Sequence, residues 1–134
     1  MVAGLAKLDA AGFEADRRFF AEAVGRDARA YDGVVAAYKI PKAERGDAVE
    51  RALLEAARVP LEVAEQAAGL RQRLGGLAET ASRKFSSDIE AARALAQACI
   101  TGALANVRIN LESMKDPARA GDIAERAARL AAAT

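Results

Sequence analysis

The 134-residue chain contains no histidine, no tryptophan, one cysteine and three prolines. Each scarcity removes a class of chemistry. Without histidine, Ser-His-Asp and Cys-His triads and the usual imidazole zinc sites cannot be built. The single cysteine, Cys99, can form neither an internal disulfide nor a thiolate zinc cluster, and it suits a reducing compartment. Aromatic residues make up 4%, too few for the stacking platforms that hold single-stranded nucleic acid. Lys and Arg number 20 against 19 Asp and Glu, so the net charge of +1 gives neither a basic nucleic-acid surface nor an acidic tail. No apolar run approaches the ~20 residues of a membrane span. The opening MVAGLAKL lacks the charged start and long apolar core of a signal peptide. Neither G-x-x-x-x-G-K-[ST] nor G-x-G-x-x-G occurs, which leaves phosphate-cradling loops without support. Acid–base work therefore falls to Asp, Glu, Lys or Tyr, no metal is expected, and a cytoplasmic location is the default.

What is present is 52% hydrophobic, largely Ala and Leu, the composition of close-packed helices. No stretch alternates with period two, so no sheet is expected. The reading is a single all-α domain over residues 1–134, a bundle of six or seven helices around a long buried central one. Val2 to Leu8 reads as the end of a helix without its beginning, so a preceding segment is expected. Gly12 breaks the pattern, Phe13 to Val24 is amphipathic, and Gly25 ends it. Asp27 is a plausible cap for Asp27 to Ile40, whose Tyr31, Val34, Val35 and Tyr38 follow at helical spacing up to Pro41. Tyr38 and Lys39 thus sit at a helix end where side chains can converge on a ligand; the plain alternative makes Tyr38 core and Lys39 a complement to the helix dipole. Ala43 to Arg58 is helical, Val59-Pro60 is a kink or joint, and Leu61 to Leu74 runs on to a break at Gly75-Gly76. One or two further turns cover Leu77 to Ser82, and a final helix opens at Asp116-Pro117 and runs to Ala133.

The central stretch is SSDIEAARALAQACITGALANVRINL, Ser86 to Leu111. Ser87 with Glu90 reads as a capping box, and Asp88 in the first turn complements the helix dipole. At ~100° per residue, Asp88, Ala92, Leu95, Cys99, Gly102, Asn106 and Asn110 share one face. The second half is apolar nearly all round, the mark of a buried helix. Asn106, Asn110 and Arg108 on such a helix require partners, either a polar network within the bundle, a dimer seam, or a ligand. Cys99 reads as a small buried hydrophobe, with no base beside it.

Four pieces occur in order: RDARAYDGVVAAYKIPK, EAARVPLEVAEQA, SSD before an Ala-rich helix, and GALANVRINL. Together they resemble the cyclodeaminase/cyclohydrolase family, which includes the cyclodeaminase domain of formiminotransferase-cyclodeaminase and methenyltetrahydrofolate cyclohydrolases. The resemblance implies an all-α homodimer with a folate site among helix ends. The implied chemistry is cyclodeamination of 5-formiminotetrahydrofolate or hydrolysis of 5,10-methenyltetrahydrofolate, with the folate as substrate and no cofactor, nucleic acid or membrane involved. It suggests Asp88, Asp27 or a burial-tuned Lys39 for proton transfer, and Tyr38, Ser87, Asn106 and Asn110 for substrate binding. The family normally opens with P-G-G-G-S and a first helix ending near Met-Val; this sequence begins at Met-Val, so it reads as N-terminally truncated relative to that pattern. A non-catalytic helical dimerisation module derived from the family is the alternative.

Overall fold

The computed structural model describes residues 2–134, with side chains from Ala10 onward. Its architecture is four α-helices: α1 (Val2–Lys39), α2 (Ala48–Thr80), α3 (Ser86–Glu112) and α4 (Gly121–Ala133). Single 3-10 turns, Arg83–Phe85 and Pro117–Ala120, lead into α3 and α4. No strand occurs among the described residues, as the missing period-two pattern predicts.

The count of six or seven helices is not met, because the anticipated breaks do not break. Gly12 and Gly25 lie inside α1, and Gly75-Gly76 and Pro60 lie inside α2. A helical glycine costs about 1 kcal/mol relative to alanine, a penalty local to one turn. Against it stands a seam many turns long. The buried residues of α1 recur every seven positions, at Asp16, Ala23, Ala30 and Ala37. Leu53, Pro60, Ala67 and Leu74 do the same on α2. A sustained heptad with small residues lets two helices run close together over their whole length. Interrupting either helix would forfeit the packing of every later turn.

A second correction concerns the centre of the bundle. α2, not α3, is the buried helix. It carries nine buried residues, and α1, α3 and α4 all pack against it. Ala57, Leu61, Val107 and Ile123 form the main core cluster, and Leu53, Met114 and Ala120 close the end near the α3–α4 turn. α3 buries only Ile89, Ala96, Ile100, Ala103 and Val107, about a quarter turn from its Asp88–Asn110 face. Leu95 is 72% exposed and Ile109 56%. The near-uniform apolarity of α3 thus does not mark burial on all sides.

Polar ties stitch the layers. Both oxygens of Asp16 on α1 accept bonds from α2, from Gln66 Nε2 at 2.6 Å and from Arg73. Arg26 of α1 pairs with Glu62, and Arg126 of α4 with Glu65. Glu50 accepts the backbone N–H groups of Lys115 (2.8 Å) and Asp116 (3.1 Å), holding the turn before α4 against α2. The α1–α2 connection turns at Gly46, whose φ of 54° is the single positive value among the described residues. Among the described residues, no helix is long and apolar enough to cross a membrane.

Candidate functional site

α1 and α3 both lie along α2 and scarcely touch one another. Between them runs a cleft with three adjoining cavities. The upper one, about 450 Å³, is walled by Phe13, Phe20, Leu70, Leu74, Leu95 and Cys99 and is almost wholly apolar. The middle one, about 250 Å³, lies between Asp27 and Asn106 over Pro60 and Val63. The lower one, about 360 Å³ and the most enclosed of the three, gathers Asp27, Tyr31, Tyr38, Asn106 and Asn110. The α3 face predicted by helical spacing is therefore the one that fronts the cleft: Ala92, Leu95 and Cys99 line its top, Asn106 and Asn110 its bottom.

The lower cavity follows from local rules on two helices. On α1, Asp27, Tyr31, Val34 and Tyr38 recur at spacings of four, three and four, one stripe of a helix. Asp27 is an interior helical residue, not the cap suggested by the residue pattern. Tyr38 stands in the last turn, half exposed, with the Arg45 guanidinium 5.6 Å from its ring centroid. That guanidinium also donates to the carbonyls of Tyr38 (2.7 Å) and Ile40 (3.0 Å), closing the C-terminal end of α1. On α3, Asn110 donates to Ala56 O of α2 at 3.1 Å and to Asn106 O at 2.9 Å. Ala56 precedes Pro60 by one helical turn. Proline has no N–H, so the Ala56 carbonyl lacks its in-helix donor and the Asn110 amide takes that place. The polar network anticipated for this amide is real, and its partner is backbone.

The other candidates lie elsewhere. Ser87 and Asp88 are exposed in the first turn of α3. Eighteen residues of helix, about 27 Å, separate Asp88 from Asn106. The capping box is absent: Phe85 occupies the cap position, and no side chain bonds there. The preceding 3-10 turn places Ser87 inside the helix, so it is not positioned to cap. Lys39 is exposed at the end of α1 and lacks the burial its proposed role in proton transfer requires. Arg108 faces the opposite groove, between α3 and α4, and meets Glu112 at 3.9 Å. Burial pushes the Cys99 thiol pKa up, which keeps it protonated and argues against a nucleophile.

Two features escape the sequence reading. Helical spacing alone makes Tyr31 an ordinary helical position; continuing the Asp27 stripe by one turn places it in the site. The Asp16–Gln66–Arg73 tie borders the upper cavity with a carboxylate that is 3% exposed, and it joins residues far apart in sequence.

Residues 6–129 match the family model described as formiminotransferase-cyclodeaminase. The chain is 33% identical over 113 residues to the formimidoyltransferase-cyclodeaminase of Sus scrofa, a match covering 80% of this chain and 21% of that protein. It is 34% identical over 99 residues to the proteins of the same name from Rattus norvegicus and Mus musculus, covering 69% of this chain and 18% of each. It thus spans about a fifth of the length of the curated relatives it matches. A family match over nearly the whole helical array, with the four sequence pieces in order on α1, α2 and α3, places this chain in the formiminotransferase-cyclodeaminase family.

Proposed function

We propose that the lower cavity binds a tetrahydrofolate derivative and that the chain acts in one-carbon chemistry, either closing 5-formiminotetrahydrofolate to the methenyl form with loss of ammonia or hydrolysing the methenyl bridge. The observation that carries this is the convergence of Asp27, Tyr38, Asn106 and Asn110, drawn from two helices, on one cavity in a chain of this family. Both reactions pass through a cationic amidine-like carbon. A carboxylate at the cavity wall complements that charge and relays a proton, from the attacking N10 to departing ammonia in one case, or from attacking water to the opening ring nitrogen in the other. Asp27 is the carboxylate that lines this cavity. Tyr31 and Tyr38 offer rings for the flat part of the ligand. One cysteine and a folate substrate suit a reducing, cytoplasmic setting.

A second reading is favoured by exposure. Val24 (73%), Leu95 (72%), Tyr31 (67%) and Ile109 (56%) are large, exposed and all on this cleft. Such a concentration of apolar surface marks an interaction face. A homodimer through it accounts for the pattern. Asp88 and Asn110 are equidistant in sequence from Cys99, so antiparallel pairing of α3 about Cys99 would bring Asp88 of one copy toward the Asn110 end of the other. In this reading a module without turnover keeps the dimer alone.

The test is to follow the near-ultraviolet absorbance of 5,10-methenyltetrahydrofolate with the purified chain, and ammonia release from the formimino substrate, with light scattering for mass. Turnover above the uncatalysed rate supports the enzyme. Dimers without turnover of either compound support the module.

A further inference from the structure

The Asn110 amide is fixed from both sides. Its Nδ2 carries two hydrogens, and both are spent on backbone oxygens, Ala56 O at 3.1 Å and Asn106 O at 2.9 Å. Because both neighbours are acceptors, the nitrogen must be the end that faces them. No described group donates to Oδ1. Asn110 lines the lower cavity, and the polar atom it can offer a ligand there is an oxygen. The same cavity has the Asp27 carboxylate, a second acceptor, with Tyr31 and Tyr38 as the aromatic surfaces. One residue outside the cavity dictates this arrangement. Were residue 60 anything but proline, its own N–H would bond Ala56 O along the helix and compete with the Asn110 amide for it.

We propose that Pro60 is a positioning residue acting through Asn110. By leaving Ala56 O open, it holds the amide in one orientation, so Asn110 and Asp27 together meet the ligand with acceptors and select flat heterocycles that present N–H donors. This rests on the folate reading, since the aminopyrimidinone edge of a folate offers a ring N–H beside an amino group.

Two probes separate the roles: 5-formyltetrahydrofolate and its analogue with the 2-amino group dimethylated, each titrated calorimetrically against the full chain. The wild-type chain binds the amino form at least tenfold more tightly. Pro60→Ala restores an ordinary helix and unfolds at the same or a higher temperature, yet its preference falls below threefold. Asn110→Ala loses the preference as well and does not depend on the behaviour of the proline variant. Asn110→Asp keeps an oxygen but cannot donate to Ala56 O, so it is destabilised alone; combined with Pro60→Ala it folds and regains the preference. Retention of the full preference in either Pro60→Ala or Asn110→Ala confines that residue to helix packing and overturns the proposal. Equal binding of the two probes by the wild-type chain overturns it while leaving the folate reading intact. Binding of neither overturns both.

Discussion

The tie between α1 and α2 at the upper cavity joins two partners with unequal access to water. The Asp16 side chain is 5% exposed, whereas that of Arg73 is 41% exposed. Asp16 accepts from Gln66 Nε2 at 2.6 Å and from Arg73. Removing Arg73, as in Arg73→Met, strands a carboxylate in an apolar wall with one amide left to hold it. Losses of about 3–5 kcal/mol attend an uncompensated buried charge. Removing the charge instead, as in Asp16→Asn, lets the guanidinium turn to solvent and retains the shape. That variant loses about 1–3 kcal/mol, the usual worth of charge-assisted hydrogen bonds. Replacing both together, Asp16→Leu with Arg73→Met, returns most of the stability, because well-packed apolar substitutes often match a buried pair. For a chain of this size each kcal/mol moves the unfolding midpoint by roughly 3–5 °C. Arg73→Met therefore unfolds about 9–25 °C below the wild-type chain, and Asp16→Asn falls clearly less. Circular dichroism at 222 nm during heating and urea titration reads both. Equal losses for the two single variants, or a larger one for Asp16→Asn, would refute the claim that unequal burial governs the tie.

Other outcomes follow from the same structure. On the proposed folate reading, Asp27→Asn lowers turnover by roughly 10²–10⁴-fold, the range of general acid–base contributions, with helicity unchanged; a large loss in Asp88→Asn with a normal Asp27→Asn would instead place the proposed proton transfer at the start of α3. Leu61 is fully buried in the main cluster, so Leu61→Ala costs about 2–5 kcal/mol by chemical denaturation; a loss under 1 kcal/mol would contradict the central place of α2. The hydrogen bond from Arg119 holds the Asp47 carboxyl below its ordinary value of 3.8, aided by the nearby charge of Arg51. A depressed acid contributes its stability above the ordinary value and loses it as pH falls through the folded one. Asp47→Asn thus narrows the gap in unfolding midpoint between pH 6 and pH 2.5, and an unchanged gap would show that the pair contributes nothing.

Residue pattern alone determined that this chain is helical, that Pro41 closes the first helical region, and that one face of α3 carries Asn106 and Asn110 together. Composition and periodicity are local properties, and helix formation over tens of residues responds to them directly. The heptad recurrence of Asp16, Ala23, Ala30 and Ala37 was legible too, had seven-residue spacing been followed through the glycines. Tertiary structure decided the rest. Whether a glycine or proline interrupts a helix depends on the packing gained beyond it, and that packing comes from a partner helix remote in sequence. The same dependence put α2 at the centre and turned an apolar α3 into one wall of an open cleft. It also paired Pro60 with Asn110, since no local rule reveals which distant side chain will answer an open carbonyl.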